Sequence, residues 1–168
     1  MMHYLKGNLL KSHCQYLCHQ VNCLGKMNSG IAKAIREKWP IVYQRYCDEC
    51  DTWHAWAYAH FDTEPTNQAV QAMLSANIAQ VVPVSDLQSV INLFAQGSYG
   101  YDGRRYTSYD AFWMCLHRIT EIVPKGGSIG FPDHVGCCRG GANWNVIKTM
   151  IEEVLGNDYD IYIYELEN

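Results

Sequence analysis

"CHQVNCLGKMNSGIAKAI", residues 18–35, sets a short apolar run, a glycine-bracketed turn and an amphipathic helix in immediate succession. The apolar part belongs to "YLCHQVN", residues 16–22, which is bounded by turn formers and reads as a buried strand. Gly25 and Gly30 bracket the turn. Ile31, Ala32, Ile35 and Trp39 then recur at helical spacing until Pro40 ends the pattern. A strand that feeds a glycine turn and a helix offers backbone N–H groups and a positive dipole end to an anion. The Gly-x4-Gly spacing is that of the nucleoside-triphosphate loop, which continues with lysine and a hydroxyl residue. Here Ile31 and Ala32 follow Gly30, so neither the lysine for the terminal phosphates nor the hydroxyl for magnesium is present. Gly-x-Gly-x-x-Gly is missing as well, which disfavours a hydride-transfer dinucleotide fold.

The same unit recurs near the end of the chain. "GSIGFP" reads as a strand, "DHVGCCRGGANW" as a loop with Gly136, Gly140 and Gly141, and Ile147, Ile151, Val154 and Leu155 as one face of a helix. Two strand–glycine–helix units place two loops on one rim of an open sheet, where ligands bind. Both loops can offer N–H groups to one diphosphate. Between them lie strands at residues 78–84 and 89–96 and a Gly- and Tyr-rich loop. A helix follows with Phe112, Leu116, Ile119 and Val123 on one face. "MHYLKGNLL" opens as a strand running into a Gly7-Asn8 turn, and "YDIYIYEL" closes as another. Residues from about 47 to 76 form two aromatic, alanine-rich helical patches around a Thr63-Glu64-Pro65 break. Strands and helices alternate, which means α/β with a parallel or mixed sheet.

With 168 residues, 48% hydrophobic and 18% charged, the chain reads as one globular domain without a linker or repeat. Its net charge of −4 argues against a broad nucleic-acid footprint, so an anionic ligand has to be held by backbone N–H groups. No apolar run reaches membrane length and no leader pattern opens the chain, so a cytoplasmic location without membrane contact is expected. In that setting the eight cysteines read as small buried thiols and not as disulfides. Cys47-x-x-Cys50 with His54 and His60 has partial zinc spacing. His54 follows Cys50 too closely for a finger loop, so no metal site is expected.

Taken together, "GNLL", "CHQVNCLGKMNSGIAKAI", "NLFAQGSYG", "YTSYDAF", "GFPDHVGCCRGGANWNVI" and "IYIYEL", in this order, resemble the macro domain family. The similarity is greatest to its compact branch of ADP-ribose-1″-phosphate phosphatases and terminal ADP-ribose protein glycohydrolases, and it covers nearly the whole chain except residues 47–76. The resemblance implies a three-layer α/β/α fold with a central mixed sheet that holds ADP-ribose in a surface cleft, with no cofactor. By resemblance, Gly7 and Asn8 lie near the adenine, where the family commonly has an aspartate, and Asn22 faces the distal ribose. Gly25, Met27, Ser29, Gly30 and Ile31 belong to the first phosphate loop. Val135, Gly136, Cys137, Cys138, Arg139 and Gly140 belong to the second, and Phe94 or Tyr99 lines the distal ribose pocket. The glycohydrolases use a lysine and an aspartate, but this chain has "NLFAQG" and Gly140 at those places. His19 matches the histidine of the phosphatase-like relatives. It is the candidate acid or base, with Asp102 as the group that orients water. Against these roles stand a satisfied core histidine and a solvated loop carboxylate, and Asp133 and His134 read first as turn residues. The expected function is hydrolysis of ADP-ribose-1″-phosphate or removal of ADP-ribose from a modified protein or nucleic acid. A non-catalytic reader or sequestering module is the alternative.

Overall fold

In the computed structural model, which describes residues 2–167, the apolar run at residues 16–22 forms strand β2 (Tyr16–Asn22) inside a six-stranded sheet. Around it lie β1 (Met2–Lys6), β3 (Ala79–Pro83), β4 (Ser89–Gln96), β5 (Ser128–Pro132) and β6 (Asp160–Glu165). The sheet order is β1-β6-β5-β2-β4-β3. Only β3 runs antiparallel to its neighbour, so the sheet is mixed. β2 and β4 are the most continuously apolar strands because both of their faces are covered.

Helices α1 (Gly30–Lys38), α2 (Pro40–His60) and α3 (Thr66–Ser75) cover one face, and α4 (Tyr109–Ile122) and α5 (Trp144–Leu155) cover the other. Ile147, Ile151 and Leu155 recur every four residues on α5 and pack with Ile129, Phe131, Ile161 and Ile163. Full burial of each such side chain contributes roughly 1.5–3 kcal/mol. The opposite core gathers Leu17, Val21, Val90 and Phe94 from the sheet with Val42, Tyr46 and Cys50 of α2. The fold is thus the expected three-layer α/β/α arrangement with a central mixed sheet.

The first strand stops at Lys6, before the expected Gly7-Asn8 turn, and Leu9–Lys11 adds a 3-10 turn because Asn8 Oδ1 accepts the Leu10 N–H at 2.9 Å. One element differs from the sequence reading. The aromatic stretch from residue 47 is the continuation of α2, which starts on Pro40 and meets no Gly or Pro until Pro65. Helix packing against loop and sheet, not intrinsic amphipathicity, holds it there. Among the described residues no helix is long and apolar enough to cross a membrane. All eight cysteines are free thiols.

Candidate functional site

A cleft of about 470 Å³ opens across the C-terminal ends of β6, β5, β2 and β4. Its two long walls are the loop from β2 into α1 (loop 1) and the loop from β5 into α5 (loop 2). Of the residues expected from sequence, Asn22, Ser29, Gly30, Ile31, Tyr99, Val135, Gly136, Cys138, Arg139 and Gly140 line it.

Loop 1 is shaped by Asn22 and Tyr46. A register shift between Val21 and Asn22 turns the chain out of β2. Asn22 Oδ1 then accepts the Leu24 N–H at 2.9 Å, and its Nδ2 donates to the Lys26 carbonyl at 2.9 Å. Tyr46, fully buried on α2, accepts the Lys26 N–H at 3.0 Å. Its hydroxyl donates toward Asn22, whose Oδ1 and carbonyl oxygen lie 2.7 and 2.8 Å away. His54, from the same helix, reaches the Cys23 carbonyl at 2.9 Å. Helix α2 therefore braces loop 1 from behind. Its Cys47, Cys50 and His54 serve that packing, and no cluster of three metal-binding side chains occurs among the described residues.

Gly30 carries a φ of 58° and starts α1. Ser29, at the helix N-cap, leaves its own N–H partners uncapped because its Oγ accepts from Arg139 Nη1 at 2.7 Å. Arg139 thus crosses from loop 2 to loop 1. Its guanidinium lies 4.4 Å from the Tyr99 ring centre and 5.2 Å from that of Tyr101, and its buried Nε has no partner among the described residues. Uncapped N–H groups at the start of α1, next to a guanidinium with a spare donor, make an anion cradle. A helix terminus of this kind stabilises an anion by about 0.3–1 kcal/mol, and a charge-assisted bond from arginine adds more.

Loop 2 is held against the sheet by a network that the sequence did not announce. Gln20 Nε2 donates to Gln96 Oε1 and to Thr107 Oγ1, both at 2.8 Å. Thr107 Oγ1 in turn donates to the Gly136 carbonyl at 2.9 Å, and the Tyr106 and Thr107 N–H groups bond the Gly140 carbonyl. A Cβ on Gly140 would collide with Thr107 Oγ1 and the Gly136 carbonyl oxygen, so only glycine fits.

The remaining expected residues lie elsewhere. Gly7 and Asn8 are outside the cleft lining, the amide of Asn8 being spent on its own turn. Gly25 turns its carbonyl toward Tyr43 and Cys47 of α2, while Met27 and Phe94 are fully buried in the core beneath that helix. Cys137 directs its thiol to the Val135 carbonyl at 3.5 Å, and burial pushes it up to about 11. His19 is completely buried in mid-strand, on the α2 side of the sheet. Its Nε2 meets Asn92 Oδ1 at 2.6 Å, Asn92 donates to Gln80, and Gln80 donates to the Arg45 carbonyl. This relay of donors places a proton on Nε2, while the buried Nδ1 has no partner among the described residues. Burial lowers the His19 pKa to about 4, the bond to Asn92 opposing the shift. Asp102 lies in an exposed turn outside the lining. The Tyr106 hydroxyl at 2.8 Å, then the Arg104 N–H, hold its carboxyl below the usual carboxylate range.

Residues that sequence reasoning did not place in the cleft include Gln20, Lys26, Asn28, Gln96 and Tyr101, together with Asp133 and His134 at the β5–β6 end. The available signal for the glutamines was polarity at the C-terminal ends of otherwise apolar strands.

The comparisons with known proteins agree with this architecture. No family model matches the chain. A curated relative, the DNA ADP-ribosyl glycohydrolase of Thermus aquaticus, is 22% identical over 98% of this chain, which spans 41% of that protein's length. Among solved structures, a Bacteroides thetaiotaomicron protein of unknown function superposes with a TM-score of 0.77 at 20% identity, covering 98% of both chains. The macrodomain of Thermus aquaticus DarG gives 0.68 at 21% identity, covering 100% of this chain and 99% of that one. Thermosipho africanus DarTG in complex with ADP-ribose gives 0.69 at 16% identity, covering 98% of this chain and 41% of that one. These likenesses show the fold of the macro domains.

Proposed function

We propose, for a chain with the macro domain fold, that the cleft binds ADP-ribose and that the chain hydrolyses a derivative at the 1″ carbon of the distal ribose. The observation that carries the binding is the Arg139–Ser29 bridge. It sets a guanidinium beside the uncapped start of α1, with Gly136 and Gly140 opposite, in a cradle without the lysine or hydroxyl of a nucleotide triphosphatase. Such a cradle grips a diphosphate without cleaving it, so the chemistry falls at an end of the ligand. Asn22, Asn28 and Gln96 furnish amides for ribose hydroxyls at the β2–β4 end. Beyond them the exposed Tyr101 leaves room for a group attached at the 1″ position. The DNA ADP-ribosyl glycohydrolase relative supports hydrolysis, and the DarTG complex supports ADP-ribose as the ligand. Cytoplasmic placement goes with this reading, and ADP-ribosylated DNA, ADP-ribosylated protein and ADP-ribose-1″-phosphate are its substrates to try.

A second reading, a reader that holds ADP-ribose without turning it over, is favoured by one observation: neither His19 nor Asp102 lines the cleft. Calorimetric titration with ADP-ribose, followed by turnover assays on the three substrates, separates the readings. Binding is expected, with Arg139→Ala weakening it by about tenfold or more. Turnover of any substrate supports the hydrolase. Binding with no turnover of all three leaves the reader, and a flat titration overturns both.

A further inference from the structure

Beyond His54, helix α2 buries only Ala57. Trp56 and Tyr58 on this end are 40% and 67% exposed, and Phe61, which closes the helix, is 38% exposed. None of the three lines the cleft. Trp56 is the hub of a ring cluster. Trp53 meets it edge-on with ring centres 6.2 Å apart, Phe61 does so at 5.8 Å, and the His60 ring lies 5.2 Å away. Trp53 packs against the core, and its Nε1 donates to Glu49 Oε1 at 3.0 Å, which ties the cluster to the body of the domain. Grouped, outward-facing aromatic rings of this kind mark an interaction surface, and rings already packed on one another lose little freedom on contact.

The charge pattern decides which partner fits. Between Arg45 and Arg104 the chain has no lysine or arginine, whereas Asp48, Glu49, Asp51, Asp62 and Glu64 flank the rings. None of these carboxylates forms an ion pair with a described residue. Elsewhere the chain covers its own rings with cations: Arg36 lies over Tyr43, Lys38 over Trp39, Arg105 over Tyr109 and Arg139 over Tyr99. Among the described residues no lysine or arginine lies over Trp56, Tyr58 or Phe61. Ring faces attract a cation, and unpaired carboxylates beside them add to that attraction while repelling a polyanion. Arginine suits both, because its planar guanidinium stacks on a ring and bonds a carboxylate. We propose that this end of α2 docks an arginine-rich segment of a protein partner. Its guanidinium groups stack on Trp56 and Tyr58 and pair with Asp51, two turns before Tyr58 on the same helix face, and with Asp62, just past the helix end. This surface lies apart from the cleft and does not rest on the ADP-ribose reading.

The test titrates the whole chain with a short arginine–glycine repeat peptide, with a glutamine–glycine repeat and single-stranded oligothymidine as contrasting probes. Calorimetry gives the affinities and amide chemical shifts locate the contact. The arginine peptide is expected to bind with shifts concentrated on residues 53–64, and the glutamine peptide about tenfold or more weakly, having no cation to offer. Trp56→Ala and Tyr58→Ala leave the net charge as it is, and each is expected to weaken the arginine peptide about threefold or more. Tyr58 is the more exposed of the two, so its variant serves if Trp56→Ala folds poorly. Affinity for the arginine peptide that survives in the folded variants reports only the overall negative charge and overturns the proposal. Absence of binding overturns it as well. Oligothymidine bound at residues 53–64 overturns it by putting a nucleic acid in the place of the protein segment.

Discussion

Replacing His19 with glutamine asks whether this imidazole is a neutral core group or one that exchanges protons with the cleft. In the folded chain burial lowers its pKa from 6.5 to about 4, partly opposed by the hydrogen bond that Nε2–H donates to Asn92 Oδ1. Between those two values the unfolded chain holds a proton that the folded chain has shed. Stability from this residue is therefore complete above pH 6.5 and is lost as the pH falls toward 4. The full window corresponds to about 3 kcal/mol, and most of it is spent by pH 4.5. Glutamine can still donate to Asn92 Oδ1 but does not titrate. Urea unfolding followed by tryptophan fluorescence at pH 7.5 and 4.5 gives the stability of both proteins by linear extrapolation. The difference between them should shift by about 2–3 kcal/mol in the variant's favour on going to the lower pH. A difference that does not change with pH would refute the reasoning. It would mean that His19 titrates normally in the fold, and so that solvent or substrate reaches it, as a general acid must.

Gly140→Ala places a methyl group into Thr107 and the Gly136 carbonyl. It is expected to cost about 1–3 kcal/mol in a denaturant melt and to abolish measurable ADP-ribose binding. Unaltered affinity in calorimetry would show that loop 2 does not wall the ligand. Tyr46→Phe, remote from the ligand itself, removes the hydroxyl that joins Asn22 to Lys26. A loss of about 1–3 kcal/mol in thermal or urea unfolding is expected, with loop 1 more readily cleaved by protease. A variant as stable as the wild type would refute bracing by α2.

The cleft gains meaning from the way loops 1 and 2 meet. Arg139 links them directly, while Gln20, Gln96 and Thr107 link loop 2 to the strands beneath. Both networks end on loop 2, one at Arg139 and the other at Gly136 and the adjacent Gly140, so changes in them are expected to couple and not to add.

Local chemistry determined much of this from the sequence alone. Glycines at 25, 30, 136, 140 and 141 behind apolar strands and before amphipathic helices mark the two turns on which the proposed anion cradle is built, without any tertiary information. The α/β class, the boundary at Pro40 and the periodic faces of α4 and α5 follow from spacing in the same way, because each depends on residues within one or two turns of each other. What the sequence could not decide was which side of a strand faces what. His19 and Gln20 are neighbours in β2 and point to opposite faces, but helices cover both faces, so the strand reads as one apolar run with no mark of direction. Tertiary packing put His19 under α2 beside Asn92 and Gln20 beneath loop 2. It also packed α2 against loop 1 through Tyr46, and brought Asp133 and His134 to the cleft beside Trp144. Each of these depends on partners on other elements of the chain, and their positions are fixed only when the sheet is assembled.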